Sequence, residues 1–256
     1  MPFIIFSAVG TLLKLKNMAI PKIIHQVWEG RSEPSMPERL QVLSKSWKEE
    51  NPGWEYHLWN GEEMDKLVET HFPQYLSLYK SFPHNVQRWD TIRYMILYLY
   101  GGVYADLDSE CFRSIEPLME HVRMGFGEEP PFHEGSSIRI GNAFMASVQG
   151  NEGWLAILEE IRQNCTERES TVETVLHSTG PNMIHRIFPE LQDKYGAVGF
   201  PYRQVTPVSK KEVYEFLFLG KEEAFQQKVA EAYCAHYFFG SWDDCIALYD
   251  DNKENE

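Results

Sequence analysis

The sequence predicts an α/β protein built on a mostly parallel, twisted sheet with helices on both faces. Three observations carry that expectation. The opening reads strand, helix, strand: an apolar run at Lys22 to Trp28 (KIIHQVW), helical spacing from Pro37 to Glu50, and aromatic–polar alternation from Trp54 to Trp59 (WEYHLW). Such units build parallel sheets, because parallel neighbours need a crossover long enough to hold a helix. The middle repeats the theme, with a helical pattern from Asn85 to Tyr100 followed by a buried strand pattern at Val103 to Leu107 (VYADL). Finally, 256 residues that are 43% hydrophobic suffice to bury one substantial core.

The elements follow in order. Leu40, Leu43 and Trp47 share one side of the first helix, and Asn51-Pro52-Gly53 is a turn signal. Trp89, Ile92, Ile96 and Leu99 form an apolar stripe along the central helix, which Gly101-Gly102 stops. Further strands are expected at Met124 to Phe126, Ala143 to Ser147 and Ala232 to Phe239, with helices at Gly153 to Asn164 and Asn182 to Phe188. Thr179-Gly180-Pro181 opens the last of these, proline sitting near the first turn. No repeat or linker divides the chain, so residues 18–249 read as one domain and residues 250–256 as a polar tail. Residues 1–17 contain an apolar run, Pro2 to Leu13, shorter than the ~20 residues that span a bilayer and without the basic residues of a secretory signal. A weak membrane-surface anchor, a malformed signal and an extension upstream of a start at Met18 all fit. The last is preferred because Met18 stands just before the first strand.

A formal net charge of -14 argues against a nucleic-acid partner, which needs clustered Lys and Arg. It does not exclude a nucleotide, whose phosphates a cation can join to carboxylates. Cys111, Cys165, Cys234 and Cys245 show no zinc-like spacing and fit buried thiols in a reducing, cytoplasmic setting, with peripheral membrane contact as an option. The 7 Trp and 13 Tyr suit stacking on sugars or bases, and equally a large core.

Asp106-Leu107-Asp108 is the central chemical motif. In an extended segment, residues two apart point to one face, so both carboxylates can converge on a hard cation such as Mg²⁺ or Mn²⁺. They also stand at the C-terminal end of a strand, where ligands gather in open α/β sheets. A solvated turn is the plain alternative. Asp90 and Arg93, three residues apart, share a helix face, with a surface salt bridge as theirs.

The stretch Arg88 to Asp108, RWDTIRYMILYLYGGVYADLD, resembles the core of the DxD-type sugar transferases of glycosyltransferase family 32. That group takes in yeast α-mannosyltransferases, bacterial polysaccharide transferases and, more distantly, the clostridial glucosylating toxins. Asp90, Arg93, Gly101, Gly102, Tyr104, Asp106 and Asp108 carry the pattern. The resemblance implies a GT-A-type fold and retaining transfer of a hexose from a UDP- or GDP-linked donor to a saccharide or glycolipid, with Mn²⁺ or Mg²⁺ as cofactor. It implies that Asp90 holds donor-sugar hydroxyls, that Arg93 contacts sugar or phosphate, and that Tyr104 belongs to the donor site. Trp28, in IPKIIHQVWEG, would lie near the base; a core Trp is the alternative. His25 and Gln26 in the same stretch read as core residues or substrate contacts. Asn142, in GNAFMAS, would lie beside the donor sugar, or serve as a turn amide. In AHYFFGSW, His236 would complete the metal shell, with Ser241 and Trp242 near the diphosphate; a core histidine is the alternative for His236. Thr179-Gly180-Pro181 also resembles a family motif, although a helix start accounts for it. The resemblance thins between Glu190 and Glu231, where acceptor specificity is expected. A carbohydrate- or nucleotide-binding module without transfer activity would use Trp28, Trp242 and the tyrosines, but would not require both carboxylate pairs.

Overall fold

A computed structural model describes residues 19–30, 35–131, 135–165 and 172–239. The expectations for residues 1–17 and 250–256, and for Ser241 and Trp242, lie outside the described residues. In chain order the elements are β1 (Ile23–Val27), α1 (Glu38–Glu50), β2 (Glu55–Trp59), α2 (Gly61–His71), α3 (Leu76–Ser81), α4 (Asn85–Tyr100), β3 (Gly102–Ala105), β4 (Ser109–Cys111), β5 (Met124–Glu129) and β6 (Arg139–Ser147). They continue as α5 (Gly153–Asn164), α6 (Val172–Ser178), α7 (Pro181–Tyr195), β7 (Ala197–Phe200), α8 (Tyr202–Val205), α9 (Lys210–Leu219), α10 (Glu222–Val229) and β8 (Cys234–His236).

The main sheet has strand order β2-β1-β3-β6-β5-β7, and β4 pairs with β8 in a separate two-stranded sheet. β1 runs parallel to β2 and β3, β5 parallel to β7, and β6 antiparallel to both β3 and β5. All strands but β6 therefore end at one edge of the sheet.

Side chains alternate between two cores. Tyr104, Phe126 and Met145 pack against α2, α4, α5 and α7 on one face. Val103, Ala105, Phe144 and Ala146 pack with Trp47 of α1 on the other. Helices on both faces and the mostly parallel sheet match the expected class. α4 departs from its expected single stripe: Thr91, Ile92, Tyr94, Met95, Ile96 and Leu97 are all buried, so the helix is enclosed on nearly every side. Its exit is sterically fixed at Gly102, whose φ is +87°. A Cβ there would stand 2.5 Å from the Ile23 carbonyl oxygen. The glycine lets β3 lie directly beside β1. Two strand boundaries are corrected. β3 stops at Ala105, short of Leu107, and the C-terminal strand covers only Cys234–His236 of the expected Ala232 to Phe239.

Candidate active site

Because β3 ends at Ala105, Asp106 to Asp108 form a turn into β4 and not the extended segment expected from strand alternation. The Ser109 N–H donates to the Asp106 carbonyl at 3.1 Å, closing the turn, and the Asp106 N–H donates to Ala143 of β6 at 2.8 Å. The same Asp106 carbonyl accepts Gln26 Nε2 from β1 at 3.0 Å, and Gln26 in turn accepts the Tyr56 hydroxyl at 2.7 Å. Gln26 thus positions the backbone of Asp106. The turn converges the two carboxylates that a strand was expected to converge.

Behind Asp106 stands a buried polar network on α4. Asp106 Oδ1 accepts Arg93 Nη1 at 2.9 Å and the Tyr104 hydroxyl at 2.7 Å, while the guanidinium lies 4.7 Å over the Tyr104 ring. Arg93 also pairs with Asp90 at 3.1 Å and donates to the Asn142 carbonyl at 3.0 Å. Asp90 accepts Asn142 Nδ2 at 2.9 Å on one oxygen and Thr179 Oγ1 at 2.9 Å on the other. The Tyr94 hydroxyl donates to the Thr179 carbonyl at 2.7 Å and accepts from Asn142 Nδ2 at 2.9 Å. Asp90 and Arg93 are only 4% and 6% exposed, so their ion pair is not the surface salt bridge offered as the alternative. Burial pushes the Asp90 and Asp106 carboxyls above the usual carboxylate range, with Arg93 pulling both back. Burial would lower Arg93, but Asp106, Tyr104 and Asp90 outweigh it and hold the guanidinium charged.

β6 reaches this network through an irregularity. Phe126 of β5 pairs with Met145, yet Glu128 pairs with Ile140, so two steps along β5 match five along β6. The extra residues of β6 leave the ladder with β5 and present Asn142 to Arg93 and Asp90. Bulges re-aim side chains in this way beside functional sites.

Asp108 is held from the other side. His236 Nε2 lies 3.0 Å from Asp108 Oδ1 and 3.9 Å from Asp106 Oδ2, and the Phe239 N–H donates to Asp108 Oδ2 at 2.7 Å. Phe238 takes φ +54° as the chain bends to deliver that N–H. Burial alone would raise Asp108, but His236 and the Phe239 N–H outweigh it and hold the carboxyl below its ordinary value. Burial likewise opposes charge on His236, yet Asp108 and Asp106 drive its pKa up to about 9. One ligand atom from each of Asp106, Asp108 and His236 falls within 4.8 Å of the others. Two carboxylates and an imidazole suit a divalent cation of the Mn²⁺ or Mg²⁺ kind. His236 carries this cluster and is not enclosed in the apolar core.

Trp28, at the end of β1, donates its N–H to the Trp59 carbonyl at 2.9 Å and leaves its buried indole Nε1 without a partner among the described residues. His25 takes the core reading. It lies 3.0 Å from the Gly101 carbonyl and accepts Trp59 Nε1 at 3.2 Å, and burial lowers its pKa to about 4. Thr179 has a part in the site that sequence reasoning gave to helix initiation, because its hydroxyl meets Asp90.

A DxD turn at the C-terminal edge of a mostly parallel sheet, backed by a buried Arg–Asp pair, defines the GT-A-type class of α/β transferase folds. Residues 37–124 match the glycosyltransferase sugar-binding region containing the DXD motif. The chain is 34% identical over 166 residues to inositol phosphoceramide mannosyltransferase 3 of Schizosaccharomyces pombe, covering 65% of this chain and 44% of the yeast protein. It is 24% identical over 230 residues to the uncharacterized glycosyltransferase L373 of Acanthamoeba polyphaga mimivirus, covering 87% and 84% of the two chains. The UDP-bound glycosyltransferase domain of the YGT toxin shares the fold, with a TM-score of 0.51 at 9% identity over 72% of this chain and 80% of that one. The chain spans less than half the length of the fission-yeast relative it matches. Among the described residues no helix is long and apolar enough to cross a membrane.

Proposed function

We propose that this chain is a glycosyltransferase that moves a hexose from a UDP- or GDP-linked donor to a hydroxyl of a saccharide or glycolipid, with retention of configuration. One observation carries the reading: the Asp106–Asp108–His236 cluster and the buried Arg93–Asp90–Asn142 network meet at a single turn on the ligand-binding edge of the sheet. A simple binding module has no need of both.

Asp106, Asp108 and His236 would hold Mn²⁺ or Mg²⁺, which when bound offsets charge growing on the departing diphosphate. Arg93 and Tyr104 tie back Asp106 Oδ1, leaving Oδ2 aimed toward His236 and the cation position. Arg93 fixes the carboxylate and brings positive charge close to the diphosphate. Asp90 and Asn142 present polar atoms to the donor sugar, held rigid by Thr179 and Tyr94. Trp28 receives the base near the end of β1, with Ser241 and Trp242 assigned to the diphosphate. The catalytic unit is residues 18–249. Mannose is the sugar named in the yeast relatives, and inositol phosphoceramide the acceptor lipid, so a mannosyl donor and a glycolipid acceptor are the first to try. The scattered cysteine spacing of the sequence is the ground for a cytoplasmic setting, with peripheral membrane contact when the acceptor is a lipid.

The test is a panel of UDP-glucose, UDP-galactose and GDP-mannose with Mn²⁺, scoring free nucleotide diphosphate with and without acceptor. One donor should turn over, stop with chelator and resume when Mn²⁺ is restored. Donor binding without turnover would leave a binding module; full transfer in excess chelator would refute the metal assignment.

A further inference from the structure

The small β4–β8 sheet sets two cysteines directly opposite each other. Its register pairs Ser109 with His236, Glu110 with Ala235 and Cys111 with Cys234. The Phe112 N–H donates to the Tyr233 carbonyl at 2.8 Å at one end of the ladder, and the Tyr237 N–H donates to the Asp108 carbonyl at 2.8 Å at the other. Hydrogen-bonded and non-hydrogen-bonded pairs alternate along an antiparallel ladder, so Cys111 and Cys234, next to the bonded Phe112–Tyr233 pair, form a non-bonded one. The Cys111 N–H agrees: it turns away from β8 and donates to Ser46 Oγ of α1 at 2.9 Å. At a non-bonded pair the Cα atoms are about 4.5 Å apart and the two side chains stand close on one face. That spacing lies inside the ~4.4–6.8 Å range that a disulfide bridges.

Both residues are buried as free thiols in one apolar cluster, with Ile115 and Val205. Asn51 Nδ2 donates to Cys111 Sγ at 3.4 Å, while Cys111 Sγ donates to the Arg113 carbonyl at 3.2 Å and Cys234 Sγ to the Val205 carbonyl at 3.4 Å. Thiols are weak donors and acceptors, so little is lost when either side chain turns toward the other. The pairing they flank is the one that carries the outer side of the site. Cys234 shares β8 with His236, and the chain just beyond β8 brings the Phe239 N–H to Asp108.

We propose that Cys111 and Cys234 are a redox pair that closes a cross-strand disulfide in an oxidising setting, fastening β8, and with it His236 and Phe239, to β4. The oxidant is a small disulfide such as glutathione disulfide. One cysteine thiolate attacks it, forming a mixed disulfide and releasing one glutathione. The second cysteine then attacks the mixed disulfide and releases the other glutathione. The two thiols give up two electrons and two protons, which leave on two molecules of reduced glutathione. Burial shields both sulfurs once β8 is docked, so exchange takes place as the chain folds. In a reducing compartment the pair stays as two thiols that pack in the apolar cluster. This inference is independent of the glycosyltransferase reading.

The experiment uses the full chain as wild type, as C111S, and as C165S/C245S, which keeps only the pair. Each is treated with a mixture of oxidised and reduced glutathione, both in the folded form and during refolding, and is compared with a sample held in dithiothreitol. Digestion without reductant and mass spectrometry should find the Cys111 peptide joined to the Cys234 peptide in wild type and in C165S/C245S. The bridged protein should melt about 5 °C or more above the reduced one, since the bridge closes a long loop. Hydrogen exchange at the Phe112 and Tyr237 amides should slow by about tenfold or more, and dithiothreitol should reverse both effects. C111S should show neither change. Glutathione adducts or other cysteine pairings without the Cys111–Cys234 link, in both the folded and refolding samples, would overturn the proposal. So would a link that leaves melting and amide exchange unchanged, or an equal rise in melting temperature in C111S.

Discussion

The two carboxylates of the DxD turn are two residues apart and held by different parts of the molecule. Asp106 belongs to the main sheet: Arg93 and Tyr104, 13 and 2 residues away, fix its side chain. Asp108 belongs to the small β4–β8 sheet: His236 and Phe239, 128 and 131 residues away, fix its side chain. One anchor is built from a contiguous stretch inside the core, the other only when the end of the domain returns across β4. The first resists perturbation because its partners are themselves buried and cross-bonded, while the second depends on one short strand pairing.

Alanine at each position breaks the comparison most directly. Both Asp106→Ala and Asp108→Ala should abolish turnover, since each removes one of the three groups assigned to the cation. Their stabilities should differ. Asp106→Ala leaves Arg93 buried with Asp90 as its one charged partner among the described residues, and breaking a buried ion pair costs about 3 kcal/mol or more. Asp108→Ala strands only an imidazole, which can lose its proton, and one backbone N–H, so it should cost clearly less. Denaturant unfolding of the two variants decides the matter, and equal stabilities would contradict the two-anchor picture.

A smaller effect isolates the inner anchor. Thr179→Val keeps shape but removes the hydroxyl that donates to Asp90 Oδ2 at 2.9 Å. Losing a hydrogen bond to a buried charge should cost about 2 kcal/mol of stability. Mn²⁺ affinity should stay unchanged, because the cation cluster lies on the other side of Arg93. A lowered metal affinity in this variant would show that the two anchors are coupled.

The same contrast explains what the sequence disclosed. Asp90, Arg93, Tyr104, Asp106 and Asp108 lie within one helix–strand–turn unit, so their grouping was legible in the family resemblance that this contiguous stretch carries, and the network joins four of them. Thr179 and Asn142 join that network from 89 and 52 residues beyond Asp90. A hydroxyl at a helix start looks ordinary until that element packs on α4, and Asn142 was singled out only through the family resemblance, not from any local pattern. The β6 irregularity that aims Asn142 comes from pairing register, which no local pattern records. The fold class was easier, since helix and strand periods are local and repeated. The error at β3 arose where periodicity gives least help, since an apolar residue between two aspartates fits strand and turn alike.

The outer anchor has its own signature, set by His236. In the metal-free protein its pKa is raised from 6.5 to about 9 by Asp108 and Asp106. A group whose folded pKa lies above its unfolded value stabilises the fold fully below the unfolded pKa, and that contribution is lost as pH rises through the folded one. The metal-free protein should therefore lose stability between about pH 6.5 and 9 relative to a His236→Gln variant. Cation binding runs the opposite way. A liganding imidazole must give up its proton, so Mn²⁺ affinity should rise with pH over the same window by up to about tenfold per unit, or about 1.4 kcal/mol. His236→Gln should bind Mn²⁺ more weakly and with a nearly flat pH response, because its amide has no proton to release. Calorimetric titration at pH 6.5, 7.5 and 8.5, paired with melting curves of the metal-free protein, reads both slopes. Equal slopes in wild type and His236→Gln would remove His236 from the cation site. Asp106 and Asp108 would then share the cation without it, and the β4–β8 sheet would serve only to brace Asp108.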